Sequence, residues 1–197
     1  MTLSIAEMRN QLFALDLTCP EDQKQYADLL YQFILINEGS RAQAYLDTVG
    51  KVTVGIGFNM DASSAKTQWA QVFGSSVSFA EVYTKKRNLA EIEIRKLFDL
   101  SISARRQEIK KIYGAAWDQF TGNEKVGIED AYFNAPVLVN GKTNFYRQMC
   151  CYVQTCDQNC LLKAIYEIKS NSNPTRHTGI QNRRDKQAEM LSTHLCV

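Results

Sequence analysis

Two carboxylates and a hydroxyl occur close together in the first third of the chain, at Glu38, Asp47 and Thr53. Cleavage of a glycosidic bond needs an acid that protonates the leaving oxygen and a group that directs a nucleophile to the anomeric carbon. Glu38 can be that acid if it is protonated near neutral pH. Asp47 can take a proton from water, and the Thr53 hydroxyl can orient the same water because it both donates and accepts hydrogen bonds. The three residue types therefore predict glycoside hydrolysis.

The residues before Glu38 predict a helix that ends at this glutamate. Apolar residues recur at helical spacing over 18–38, and Thr18 with Glu21 has the pattern of a capping box at the start of the helix. Gly39 is a natural left-handed stop. We therefore expect Glu38 on the C-terminal edge of this helix.

The residues after Gly39 predict a β-hairpin that carries the other two candidates. Apolar residues alternate over 52–56, which is typical of a strand, and a tight turn at 49–51 would pair this strand with the one that carries Asp47. With a three-residue loop at 49–51, Asp47 would face Thr53 directly across the ladder, whereas a two-residue loop would shift them by one place.

Most of the remaining sequence predicts helices. Capping boxes at Ser4/Glu7 and Thr121/Glu124 and a candidate cap at Asn88 mark three helix starts. The helices are expected over residues 4–16, 88–112, 121–132, 143–154, 158–168 and 180–193, with shorter ones over 62–86. The fold class expected is α+β and mostly helical. The organisation expected is an N-terminal helical extension over 1–20, a small α+β lobe over 21–87, and a long connecting helix with a helical lobe over 88–197.

Composition limits the classes of function. The chain has 197 residues, of which 45% are hydrophobic, so it can bury a sizeable core. A net charge of +2 is too small to indicate nucleic acid by itself. Clusters of basic residues have two interpretations. They are either solvated faces of helices or surfaces that attract an anionic polymer such as a cell wall. No apolar run reaches the roughly 18 residues of a membrane span, and the N-terminus lacks the pattern of a signal peptide.

Six cysteines leave three interpretations open. They are Cys19, Cys150, Cys151, Cys156, Cys160 and Cys196, four of them within eleven residues. Disulfides formed in an oxidising compartment are favoured, reduced and partly buried thiols come next, and a zinc site is least favoured because the spacing lacks paired CxxC motifs. Neighbouring Cys150 and Cys151 would each need a different disulfide partner.

The run from Glu38 to Gly57 resembles the phage T4-type lysozymes, glycoside hydrolase family 24. That family has Glu-Gly at the end of a helix, Asp nine residues after the Glu, Thr six residues later, and then Gly-x-Gly. The corresponding residues here are Glu38-Gly39, Asp47, Thr53 and Gly55-Ile56-Gly57. Less specific matches, among them the pair Arg183-Arg184, extend the resemblance over about residues 22–193.

The resemblance implies a lysozyme-like fold of two lobes and hydrolysis of the β-1,4 bond between N-acetylmuramic acid and N-acetylglucosamine in peptidoglycan, with inversion. It makes Glu38 the general acid, with Asp47 and Thr53 holding the attacking water. It implies that Arg183 pairs with the catalytic glutamate, although Arg183 and Arg184 are also compatible with a plain polar helix face. The substrate-binding residues that it implies are Asn59, Phe133, Asn134 and Phe145.

The chain also departs from the family. Phe58 stands where many members have a histidine, the first twenty residues have no counterpart in the minimal enzymes, and the cysteine-rich stretch around 150–160 is unlike them. The extension and the cysteines suggest a specialised delivery route or an oxidising site of action. His177 and His194 are given no catalytic role.

These observations lead to a set of functional expectations. The enzyme would act as a monomer on peptidoglycan strands in the bacterial periplasm, without cofactor or metal. It would be released through a phage holin, or secreted as an antibacterial effector with an immunity protein as partner. Nucleic acid and membrane insertion are not expected. Two other functions stay open: a peptidoglycan-binding module without activity, and a hydrolase whose polymer is chitin.

Overall fold

The computed structural model describes residues 3–171 and 178–192. Those residues form ten α-helices and a three-stranded antiparallel sheet, so the expected α+β, mostly helical fold is confirmed. The helices are α1 Ile5–Phe13, α2 Pro20–Glu38, α3 Ala65–Phe73, α4 Phe79–Tyr83, α5 Glu91–Tyr113, α6 Ala116–Gln119, α7 Gly122–Asn134, α8 Asn144–Thr155, α9 Gln158–Ser170 and α10 Thr178–Leu191. The strands are β1 Arg41–Leu46, β2 Val52–Gly55 and β3 Phe58–Asn59, and a 3₁₀ turn covers Pro136–Leu138.

The chain divides into two compact units. The helical unit contains the residues up to Phe33 and those from Arg105 onward, and the sheet unit is Ile34–Ala104. Both boundaries fall within helices, in α2 and α5, whereas the sequence analysis drew them after residues 20 and 87. Among the described helices, none has both the length and the apolar character that a membrane span requires.

Two of the predicted helix caps are confirmed. At α1 the Ser4 N–H donates to the Glu7 carboxylate at 2.7 Å, and the Glu7 N–H donates back to the Ser4 hydroxyl at 3.2 Å. At α7 the Thr121 N–H donates to Glu124 at 2.9 Å in a second capping box. Each box gives partners to backbone N–H groups that have none within the helix, which explains why these two starts were predictable.

Two other predicted caps are wrong. The Thr18 hydroxyl donates to Asp16 at 2.7 Å instead of capping α2, and the helix begins at Pro20. Asn88 does not cap α5, which begins at Glu91. The Leu89 N–H instead donates to the Ala42 carbonyl at 2.9 Å, which ties this segment to β1 before the helix begins.

The core of the sheet unit is aromatic. The Trp69 ring lies 4.9 Å from the Phe73 ring in an edge-to-face arrangement, and the Trp69 indole N–H donates to the Val77 carbonyl at 2.7 Å. Sheet and helix approach closely at Gly55, where a Cβ atom would lie 3.2 Å from the Ile94 side chain on α5. The approach at Gly55 packs the sheet against α5 within its own unit.

Helix α7 lies at the centre of the helical unit. Ten of its thirteen residues are buried, although the sequence of α7 has no apolar stripe. A cluster of buried apolar residues from neighbouring helices surrounds it, including Ile109, Trp117, Phe145, Met149, Ile168 and Leu191. The charged residues of α7 therefore need partners inside the unit.

A disulfide joins two adjacent helices of the helical unit. Cys151 on α8 is bonded to Cys160 on α9, which confirms the disulfide interpretation for this pair. Cys19, Cys150 and Cys156 are not part of this bond. Cys196 lies outside the described residues, as do His177 and His194. In the described part of the chain, no three His, Cys, Asp or Glu side chains come together in a way that would hold a metal ion.

Replacing Gly122 with alanine should disrupt the packing of α1 on α7. A Cβ atom at Gly122 would lie 2.4 Å from the Leu12 carbonyl oxygen, and a backbone atom cannot move aside cheaply. We expect Gly122→Ala to lower the free energy of unfolding by about 1–3 kcal/mol in urea titrations. Gly179→Ala is the matched control, since nothing lies within 4 Å of that position. Equal stability of the two variants would contradict this packing.

Candidate functional site

The end of α2 places Glu38 at the entrance to the sheet. Glu38 is the last residue of α2 and is exposed. Gly39 follows with φ at +69°, and its N–H donates to the Leu35 carbonyl at 2.8 Å. A left-handed residue ends the helix and redirects the chain at once into β1. The predicted helix end at Gly39 is therefore confirmed. The left-handed glycine explains why α2 ends directly after Glu38.

The hairpin register differs from the expected one. Tyr45 pairs with Thr53, and the Asp47 N–H donates to the Lys51 carbonyl at 2.9 Å. The loop has three residues, but they are 48–50 and not 49–51. Asp47 therefore does not face Thr53 directly, and the two are diagonal neighbours, for which a Cα separation of about 7–8 Å is typical.

The observed register still brings the candidate residues to one face of the sheet. Tyr45 and Asn59 both pair with Thr53, from β1 and β3 respectively. Directly paired residues point to the same face, and so does a residue two positions further along a strand. Asp47, two residues after Tyr45, thus lies on the face that carries Tyr45, Thr53 and Asn59. A shift of the pairing by two positions preserves the face, whereas a shift of one would have reversed it.

Both candidate carboxylates act electrostatically on Tyr45. Burial raises the pKa of the Tyr45 phenol, the positive charge of Arg41 opposes this effect, and the negative charges of Glu38 and Asp47 raise the pKa further. The Arg41 guanidinium lies 4.4 Å from the centre of the Tyr45 ring. Glu38 and Asp47, from different elements, are therefore both close enough to one phenol to perturb it.

The two oxygens of Asp47 have different surroundings. Oδ1 accepts the backbone N–H groups of Val49 at 2.9 Å and Lys51 at 2.8 Å, so it closes the turn. Among the described residues, none donates a hydrogen bond to Oδ2. One oxygen of this carboxylate is thus structural, and the other can accept a proton from a water molecule.

Thr53 and Asn59 differ in exposure. Thr53 is 3% exposed, and its hydroxyl donates to the Lys51 carbonyl at a long 3.3 Å. Asn59 is exposed, and its side-chain oxygen accepts the Asp61 N–H at 2.9 Å. The Thr53 hydroxyl is therefore weakly engaged within the protein, although its side chain is buried.

Asp61 is a residue that sequence reasoning missed. Its carboxylate accepts the Val52 N–H at 2.8 Å and the Tyr83 hydroxyl at 2.9 Å. These two bonds, with a smaller contribution from Lys51, lower the pKa of Asp61. Asp61 therefore holds the first residue of β2, and its position shortly after Asn59 was the only signal for it.

Arg183 has a partner that the sequence analysis did not foresee. Its guanidinium is 6% exposed and binds both carboxylate oxygens of Asp130, at 2.6 and 3.0 Å. Arg184 is also buried, so the interpretation of this pair as a polar helix face is wrong. Arg183 belongs to the helical unit and Glu38 to the sheet unit, and an ion pair between them stays a prediction.

The other predicted substrate contacts also belong to the helical unit. The Asn134 side-chain oxygen accepts a hydrogen bond from Arg184 at 3.0 Å, and the Arg105 guanidinium lies 4.2 Å from the centre of the Phe133 ring. Phe145 is 2% exposed and is part of the hydrophobic core. Its burial argues against the predicted sugar contact, whereas Phe133 and Asn134 remain predictions.

The chain matches no family model, and no curated protein matches it significantly.

Two substitutions at Asp47 should show whether its Oδ1 atom stabilises the hairpin turn. Asp47→Asn keeps an oxygen that can accept both turn N–H groups, so its stability should be close to that of the wild type. Asp47→Ala removes both hydrogen bonds and should lower the free energy of unfolding by about 1–3 kcal/mol. Urea denaturation measures the difference. Equal destabilisation by the two substitutions would show that Oδ1 does not hold the turn.

Asp61 should make the sheet unit sensitive to acid. Because folding lowers the pKa of Asp61 from its ordinary value of 3.8, its stabilising effect is present above that value and is lost as the pH falls through the lower folded-state pKa. Wild type should therefore lose more stability between pH 6 and pH 3 than Asp61→Asn in urea titrations. Tyr83→Phe, which removes one donor, should give an intermediate result. Identical pH dependence in all three proteins would contradict this assignment.

Proposed function

We propose that this protein is a peptidoglycan hydrolase, a muramidase of the type found in glycoside hydrolase family 24. The observation that carries the proposal is that two carboxylates of the sheet unit are held at the ends of different elements and, in addition to burial, both raise the pKa of Tyr45. Glu38 ends α2, Asp47 closes the hairpin, and both lie within electrostatic range of Tyr45. An acid and a water-directing carboxylate held by separate rigid elements are the two groups that glycoside hydrolysis requires.

The proposed mechanism is a single displacement. The Glu38 carboxylic acid donates its proton to the glycosidic oxygen, which leaves with the electrons of the bond. A water molecule attacks the anomeric carbon from the opposite side and gives its proton to Oδ2 of Asp47. The Thr53 hydroxyl holds the same water. The configuration at the anomeric carbon is inverted, and exchange with solvent returns both carboxyl groups to their starting states.

The proposed substrate is the β-1,4 bond between N-acetylmuramic acid and N-acetylglucosamine. Its basis is the resemblance of the Glu38–Gly57 run to the family, supported by the polar row of Tyr45, Thr53 and Asn59 on one sheet face. Of this row, the half-buried Tyr45 and the exposed Asn59 offer a hydroxyl and an amide group to a saccharide, whereas Thr53 is buried. Chitin contains the same linkage between N-acetylglucosamine units and is the competing polymer. Action in the bacterial periplasm, after holin release or secretion, is part of the same proposal.

One observation favours a second function, a peptidoglycan-binding module without activity. The Asp47 carboxylate has a sufficient structural role through Oδ1, so an aspartate at this position is explained without catalysis. The two proposals differ in what they expect of Asp47→Asn. A binding module should retain full affinity for cell walls, and a hydrolase should lose its rate while the fold is preserved.

Replacing Glu38 with glutamine should abolish hydrolysis. Glutamine is close in size to glutamate but cannot donate a carboxylic proton, so we expect a rate at least about 10²–10⁴-fold lower. Clearing of a suspension of purified peptidoglycan and the appearance of reducing ends measure the rate, with chitin assayed in parallel. Glu91→Gln, at the start of α5, is the matched control and should behave as wild type. A wild-type rate in Glu38→Gln would exclude this mechanism, and cosedimentation without sugar release would favour the binding module.

A further inference from the structure

A cavity of about 290 Å³ lies in the helical unit, next to the first turns of α7. Its wall includes Arg106 and Lys110 from α5, Trp117 from α6 and Lys125 from α7. A second cavity, of about 390 Å³, shares Lys125 with the first. Pockets for small molecules commonly have volumes of roughly 300–1,000 Å³, so each cavity has room for a compact ligand.

The Lys125 side chain reaches this cavity without a direct ion pair to any described residue. Lys125 is only 8% exposed. Within residues 3–171 and 178–192, its ammonium group makes no hydrogen bond and no ion pair. The nearest aromatic partner is Trp117, whose ring centre lies 5.8 Å from the ammonium nitrogen. The lysine is largely buried while its ammonium group faces the cavity without an ion pair, so that group is available to bind an anion there.

The carboxylates around Lys125 are mostly engaged elsewhere. Glu129 is fully buried and binds the Arg106 guanidinium and the Tyr26 hydroxyl, the latter at 2.8 Å. Glu124 accepts a backbone N–H in the capping box of α7. Asp118 is the remaining carboxylate of the wall. The Arg106 charge is therefore neutralised by Glu129. In the described part of the chain, Lys110 and Lys125 have only the Asp118 and Glu124 carboxylates near them, neither of which forms an ion pair with Lys125.

The electrostatics of Lys125 agree with this geometry. Burial lowers the pKa of the Lys125 ammonium, and the carboxylates of Asp118, Glu129 and Glu124 do not offset that effect. Lys110 lowers the pKa further. An anion in the cavity would stabilise the charged form and would form short, charge-assisted hydrogen bonds with it.

We propose that this cavity binds a small molecule that carries a phosphate or carboxylate group, with that group held by the Lys125 ammonium. Tyr26 and Trp117 supply aromatic surface for the body of the ligand, and Lys110 adds a second positive charge. The site lies within the helical unit and uses no residue of the proposed hydrolase mechanism. A test of this binding site is therefore independent of the hydrolase proposal.

The test is a calorimetric titration of the full chain with inorganic phosphate and, separately, with acetate, against a chloride background of matched ionic strength. We expect saturable binding of at least one anion, with a dissociation constant in the low millimolar range or below. Lys125→Met should weaken it at least tenfold, whereas the exposed Lys163→Met on α9 should bind as wild type does. Binding of phosphate alone identifies a phosphate-bearing ligand, and binding of acetate alone identifies a carboxylate.

A second measurement makes the test independent of how Lys125→Met folds. The indole N–H resonance of Trp117 in the wild-type protein should move during the titration and reach a plateau, because the anion binds beside that ring. Absence of saturable binding of both anions, or equal binding in wild type and a folded Lys125→Met, would overturn the proposal. If Lys125→Met does not fold, an unchanged Trp117 resonance would overturn it as well.

Discussion

The hydrogen bonds around Asp47 determine the sheet register on which the candidate site depends. Oδ1 accepts two N–H groups of the turn, and the backbone N–H of Asp47 pairs with the Lys51 carbonyl. This arrangement makes Asp47 and Lys51 the closing pair of the loop. Once the pair is fixed, Thr53 must face Tyr45, and the polar row follows. The Asp47 carboxylate thus closes the turn and also has the proposed catalytic role.

The sequence predicted those features of the sheet unit that depend on neighbours in the chain. Glu38 at a helix end, the left-handed Gly39 and the two strands all follow from local preferences of a few residues. The register did not follow, because the turn was expected to begin one residue later than it does. Only the hydrogen bonds of Asp47 distinguish these two loops of equal length. The error changed the direct partner of Asp47 but preserved the face on which it lies.

The helical unit was less predictable because its polar contacts join residues far apart in the chain. Glu129 binds Tyr26, and Asp130 binds Arg183 and Gln187. By sequence alone, α7 contains four charged and five apolar residues without an apolar stripe, which does not indicate a buried helix. Its burial becomes possible because α5 and α10 supply Arg106 and Arg183 as partners for Glu129 and Asp130. The sequence analysis expected Arg183 to pair with Glu38, and its partner Asp130 had no local signal.

The surroundings of Lys125 in the structure differ from those that its sequence context indicates. In the sequence it is one lysine between a capping glutamate and a valine, and a solvated position would be the natural expectation. In the structure its neighbours on α7, Glu129 and Asp130, are each bound to an arginine, whereas the ammonium of Lys125 faces a cavity. Among the described residues, the ammonium of Lys125 has the Trp117 ring beside it but forms no ion pair. Glu129 and Asp130 are already engaged by arginines, so an anion from outside the protein is the partner that this ammonium can still take.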